Sequence, residues 1–300
     1  MADPIPFVRE IAFEYGRTDA VTPLIRRVVA KNPSAFTFHG TGTYIIGRGE
    51  VAVIDPGPAL DAHVQALLAA VEGERVSHIL ITHTHLDHSP AARALQAATG
   101  APTYGFGPHG GGGDSPVEEG GDMEFEPDIV VKDGHVIRGT GWTMEAIHTP
   151  GHTSNHLCFA LKEENALFSG DHVMGWSTTV VSPPDGDMRA YIASLDKLLA
   201  RNEAVFWPTH GPAIREPKRF VRALAAHRRQ RETQIEECVR AGLTTIPQMV
   251  ERMYVGVPRN LHAAAAHTVL AHIIHMVETG RLKTDGLPSR TGSYRLPIRG

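Results

Sequence analysis

Residues 83–88 read His83-Thr84-His85-Leu86-Asp87-His88, so four metal-competent side chains crowd into six positions. They follow a mostly apolar run at 76–82 that reads as a buried strand. In extended backbone, residues two apart face the same way, so His83 and His85 point together at the strand's end. Ser89 suits a helix N-cap and Pro90 a first helical position, which predicts a helix over 90–98. Asp87 and His88 then lie in the turn between. Two imidazoles can converge on one metal, and a carboxylate with an imidazole on a second point nearby. A polar cluster at the end of a buried strand needs such partners.

Three later strand ends supply further donors. His152 lies in Thr149-Pro150-Gly151-His152-Thr153, Asp171 in Phe168-Ser169-Gly170-Asp171-His172, and His210 in Trp207-Pro208-Thr209-His210-Gly211-Pro212. Each follows a strand candidate and sits beside Gly or Pro, where loops gather functional groups.

The ordered set HxHxDH, then His, Asp and His, with the strings TPGHT, FSGDH and PTHGP, resembles the metallo-β-lactamase superfamily. The match covers the motifs of about the first 214 residues. The resemblance implies an α/β protein, a four-layer αββα sandwich, and a dinuclear site. Metal one would take His83, His85 and His152; metal two would take Asp87, His88 and His210; Asp171 would bridge both. Two divalent ions are implied, with zinc suited to the imidazole-rich set and iron or manganese as alternatives. A bridging Asp rather than Cys resembles the superfamily's hydrolases of esters, thioesters and phosphodiesters. Asp87 would also orient the nucleophile. Asp55, in Ile54-Asp55-Pro56-Gly57, matches a position that supports the ligands from behind. The segment from 165 to 199 is similar to the glyoxalase II-like enzymes and to the β-lactamase-like endoribonucleases. The latter cleave single-stranded RNA and carry a small winged-helix-like domain. Ser89-Pro90-Ala91-Ala92 and Thr41-Gly42-Thr43 depart from the usual Ser-Gly-Gly and Thr-Asn-Thr; neither touches a ligand.

His172, beside Asp171, is a candidate for a catalytic or supporting role, and a purely structural one is equally open. His156, Ser177, Thr178 and Thr179 are candidates for substrate contacts at the mouth of the site, although such hydroxyls could equally cap a turn. His262, His267, His272 and His275 lie on an apolar helix with no acid or Cys beside them, so packing or exposure is the better reading.

Three hundred residues accommodate two domains, and 42% apolar content allows a full core. No run of eighteen apolar residues would span a membrane, and residues 1–9 lack a secretory h-region, so a cytoplasmic location is expected. Cys158 and Cys238 read as buried thiols. Short strands are expected at 36–39, 44–46, 51–54, 103–106, 129–131, 135–138, 142–147 and 157–161. Helices are expected at 61–70 and 191–200, and a glycine-rich loop at 108–126. From residue 216 the pattern becomes helical, at 217–241, 246–253 and 261–279, with a hairpin or wing at 281–297. The layout gives a hydrolase domain at 1–214, a winged-helix-like domain at 215–285 and a flexible tail at 286–300.

The net charge of −4 conceals −12 on residues 1–214 and +8 on 215–300. Such asymmetry suits an anionic partner, or two domains attracting each other. The C-terminal unit would then cover the substrate entrance or make a homodimer contact. Lys218, Arg219, Arg222, Arg228 and Arg229 are the cations that RNA would meet. The expected activity is metal-dependent hydrolysis of an ester, thioester or phosphodiester. The alternatives are a single-stranded RNA endoribonuclease and a nucleic-acid-binding module with a residual metal site.

Overall fold

A computed structural model describes residues 4–111 and 119–298. Part of the expected 108–126 loop, with half of its glycine run, lies outside those residues. Seven strands form one sheet in sequence order: β1 (Thr18–Ala20), β2 (Ile25–Val29), β3 (Gly42–Arg48), β4 (Glu50–Ile54), β5 (Arg75–Leu80), β6 (Thr103–Gly105) and β7 (Ile129–Val130). The first four are antiparallel neighbours, and β4 to β7 run parallel. A second sheet takes β8 (Val136–Gly139), β9 (Trp142–His148), β10 (Leu157–Leu161), β11 (Ala166–Gly170) and β12 (Val205–Pro208) in the order β12-β11-β10-β9-β8.

Side-chain alternation along the strands builds the layers. Tyr44, Ile46, Ala52, Ile54 and Leu80 point toward the second sheet, where they meet Met144, Phe159 and Phe168 in a shared core. Ile45, Val51, Val53 and Ile79 point the other way, onto Leu67 of α1 (Asp61–Ala70) and Leu95 of α2 (Ala91–Thr99). The outer face of the second sheet, through Cys158, Leu167 and Phe206, packs on Tyr191 and Leu195 of α3 (Met188–Leu199) and on Phe220 and Leu224 of α4 (Pro217–Arg240). The result is the expected αββα stack.

Three local expectations are corrected. Residues 36–39 form a turn, not a strand: the Ser34 hydroxyl accepts from the backbone N–H of Phe36 and Thr37, and Phe38 is left-handed at φ 59. Ser89 does not cap α2 with its side chain; its hydroxyl donates to Asp122 instead. Strand β2 was not anticipated.

Beyond α4 come α5 (Ile246–Met253), α6 (His262–Glu278) and a two-stranded wing of β13 (Lys283–Thr284) and β14 (Tyr294–Arg295). Their core joins Ile235 and Val239 of α4 to Met249, Ile273 and Leu282. The stretch read as a tail from Gly286 is partly built into this core: Tyr294 is buried, and its hydroxyl donates to the Ser289 carbonyl. An acid does reach the histidines of α6, from the neighbouring helix. Buried Glu232 of α4 accepts from His275 at 2.8 Å and lies 3.4 Å from His272, and Arg281 donates to it as well. Burial raises the Glu232 carboxyl, but these donors outweigh it and hold it at about 2. Burial holds His272 down at about 4.

Both groups have folded values below their ordinary ones, 4.5 and 6.5. The stability they contribute is therefore present near neutrality and lost on acidification, first through His272 and then through Glu232. Glu232→Ala, which strands His272 and His275 while Arg281 keeps Glu236, should cost about 3 kcal/mol by denaturant unfolding. It should also remove the acid dependence that Glu232 itself supplies between pH 4.5 and 2.

Candidate metal centre

Every donor singled out in the sequence arrives at one place because each sits just past a strand that ends at the same edge of the sandwich. His83, His85, Asp87 and His88 follow β5, His152 follows β9, Asp171 follows β11, and His210 follows β12. Two glycines permit the turns. Gly170 has φ +51, and a Cβ there would lie 2.5 Å from His156 Nε2; Gly151 has φ +139, and a Cβ would strike the Tyr191 backbone at 2.3 Å.

The donors form three overlapping groups close enough to hold a metal ion: His83, His85 and His152; His83, His88 and Asp171; Asp87, His88 and His210. His85 Nδ1 lies 3.0 Å from His83 Nε2 and 3.1 Å from His152 Nε2. His210 Nε2 lies 3.0 Å from Asp87 Oδ2 and 3.3 Å from Asp171 Oδ2, and His88 Nε2 lies 3.3 Å from Asp87 Oδ2. Asp171 stands between the groups, 3.6 Å from His88 Nε2 and 4.0 Å from His152 Nε2. All seven side chains are buried.

The donor set fits a cation. His88 Nε2, His210 Nε2 and Asp171 Oδ1 are buried and make no hydrogen bond despite their close neighbours. The opposite ring nitrogens are tied back: His88 Nδ1 donates to Asp55, His152 Nδ1 to the Val180 carbonyl and His210 Nδ1 to the Gly40 carbonyl. Their inner nitrogens are thereby left as acceptors facing the centre. Charge tells the same story. Burial lowers His210, but Asp171 and Asp87 outweigh it and lift it to about 10; burial lowers His88 too, and Asp87 and Asp171 raise it well above its ordinary value. Burial and neighbouring imidazoles push His83 and His85 well down. The carboxylates demand positive charge and the other side offers neutral nitrogen, which a divalent ion satisfies.

Asp55 lies directly behind the cluster. Its carboxylate accepts from Thr82 N–H at 2.8 Å, Thr82 Oγ1 at 2.7 Å, His88 Nδ1 at 2.9 Å and Thr209 Oγ1 at 3.0 Å.

The pocket over the centre has a volume of about 40 Å³ and is walled by Phe36, Met174 and Trp176, with Ser177 and Thr178 at its margin. Three sequence candidates do not face it. His156 lies behind Asp171: its Nδ1 donates to Thr149 Oγ1, and its Nε2 accepts the Asp171 backbone N–H. Thr179 is buried and donates to the Asp171 and His172 carbonyls. His172 is fully buried against the Tyr191 ring at 4.6 Å, its ring nitrogens without partners among the described residues, and burial holds it at about 3. His172 is adjacent to Asp171 in sequence and lies behind it in space. Sequence reading missed Phe36 as a pocket wall, because no motif or periodicity marks it. It also missed Asn155, whose amide donates to Thr84 Oγ1 and the Gly107 and Pro108 carbonyls and so clamps the loop beneath His85.

The model of the metallo-beta-lactamase superfamily matches residues 37–210. The chain belongs to that superfamily. A beta-lactamase associated winged helix domain matches residues 245–290. The "Lactamase-like protein adaB" of Aspergillus niger is 28% identical over 321 residues, covering 97% of this chain and 95% of that protein. An atrochrysone carboxyl ACP thioesterase of Aspergillus chevalieri is 30% identical over 265 residues, covering 85% and 80%. A beta-lactamase domain protein from Burkholderia ambifaria superposes with a TM-score of 0.78 at 18% identity, covering 96% of both chains, and shares the fold. The chain is a metallo-β-lactamase-fold hydrolase with a winged-helix domain.

Asp55→Asn removes acceptor capacity beneath His88 while keeping the shape. Metal affinity, read by competition with a chelator, should fall by about 10- to 100-fold with circular dichroism unchanged, as for other residues that orient ligands.

Proposed function

We propose that the protein hydrolyses a thioester, giving a carboxylic acid and a thiol. The single observation that carries the reading is the set of seven converging donors in which Asp171, a carboxylate, stands between two groups. Relatives named as ACP thioesterases support the substrate class.

His83, His85 and His152 would hold one divalent ion, Asp87, His88 and His210 a second, with Asp171 shared; zinc suits the set, with iron or manganese as alternatives. Such ions supply a Lewis acid for the carbonyl and lower the pKa of water toward neutrality. Asp87 accepts a hydrogen bond from the attacking water and so orients its lone pair toward the carbonyl carbon. Phe36, Met174 and Trp176 exclude bulk water from the reacting group. Ser177 and Thr178 offer hydroxyls at the margin, where the leaving thiol departs. His156 and Thr179 act through Asp171, holding its backbone from both sides. The protein is expected in the cytoplasm; among the described residues no helix is long and apolar enough to cross a membrane.

The cations that an RNA substrate would use are poorly placed to form a track. Arg228 is buried, Lys218 donates to Asn202, and Arg219 pairs with Glu216; Arg222 and Arg229 are exposed.

His85→Ala and Asp171→Ala should reduce thioester hydrolysis to the uncatalysed rate, measured by thiol release, with the fold retained. Stripping metal with a chelator should do the same, and adding zinc should restore activity. Cleavage of single-stranded RNA with no turnover of any thioester would overturn the reading.

A further inference from the structure

The pocket over the metal centre admits little more than the reacting group, since about 40 Å³ holds only a few waters. A substrate must therefore extend beyond it. Trp176, Ser177 and Thr178 wall this pocket and also a second cavity of about 430 Å³, between residues 4–9 and α4. The two spaces share one rim. Along α4 the cavity runs from Ala223 to Arg231, about 12 Å at 1.5 Å per residue.

The outer cavity has its own chemistry. Arg9, His227, Gln230 and Arg231 line it, and among the described residues no acid does. Beneath its surface, Trp176 Nε1, His227 Nδ1 and Arg231 Nε are buried with no hydrogen-bond partner among the described residues. Arg231 is held in place, with Nη1 donating to Gln234 and the Met253 carbonyl and the guanidinium 4.4 Å over the Tyr254 ring. Arg9 is exposed, with its guanidinium 5.9 Å over the Phe7 ring.

We infer that this cavity is a subsite for the phosphate-bearing thiol half of the substrate, with Arg9 and Arg231 pairing with the phosphate. The arm would run along α4 and bring its sulfur to the shared rim at Ser177 and Thr178. The inference rests on the thioester reading. Helix α4 thereby forms one wall of the substrate entrance.

Hydrolysis of S-acetyl-4′-phosphopantetheine is compared with that of S-acetylpantetheine, and binding of 4′-phosphopantetheine itself is followed by calorimetry on the metal-loaded full chain. The phosphorylated thioester should show a KM lower by about tenfold or more, as for a hydrogen bond to a charged group. In Arg9→Ala and Arg231→Gln the KM ratio should fall toward one and 4′-phosphopantetheine binding should be lost, while Arg9→Lys retains most of the preference. Equal KM values in the wild type, with no binding of 4′-phosphopantetheine, would overturn the subsite and leave the thioester reading standing. Binding that requires Arg9, with no turnover of either thioester, would support the subsite as an anion site and sink the thioester reading. Should Arg231→Gln fail to fold, Arg9→Ala still decides, because Arg9 contacts little else.

Discussion

The Asp55 carboxylate is the joint on which the metal centre depends. Four hydrogen bonds converge on it, from the end of β5, from His88 and from the loop after β12. Those elements belong to two different sheets, so one buried side chain fixes how the two strand-end edges face each other. Its backbone carbonyl also accepts from Thr43 on β3, and its φ of 47 turns the chain sharply away after β4. A buried carboxylate with this many donors is held in one geometry.

Behind the ligands lies a second ring of restraints that is mostly uncharged. His156, neutral through burial, accepts from the Asp171 N–H. Thr179 grips the Asp171 carbonyl, and Arg228 of α4 donates to the Thr179 carbonyl while lying 4.8 Å over the Tyr191 ring. The ligand loop after β11 is thus reached from the sheet on one side and from the C-terminal helices on the other. Metal chemistry and the packing of the winged-helix unit are mechanically joined at Thr179.

The convergence of the seven donors was legible in the sequence because each stands at the end of an apolar run, beside Gly or Pro, and runs of that kind end at one edge. The layers were legible for a related reason, through the two-residue alternation of β3 to β5. Strand β2 was not, because Arg26 and Arg27 interrupt the apolar pattern of Ile25, Val28 and Val29, yet Arg27 is buried and donates to the Ala12 carbonyl. Phe36 and Phe38 looked like strand residues because their apolar character suits a core. In the structure Phe36 walls the pocket, and Phe38 stacks on Trp176 at 4.7 Å. Glu232 could not be joined to His272 and His275 by spacing, since forty residues separate it from His272 and the contact is made between two helices.

Helix α4 belongs to two cores at once. Its first half, through Phe220 and Leu224, completes the outer layer of the sandwich, and its second half, through Ile235 and Val239, starts the core of the winged-helix unit. With 24 residues in a continuous helix, there is no linker at which the two halves could hinge. Thermal disorder in one unit is therefore transmitted to the other, and the molecule should melt as a single cooperative body. For the same reason the C-terminal unit cannot be exchanged for another as a cassette: any replacement must bring its own Phe220 and Leu224 face, or the sandwich loses part of its outer layer.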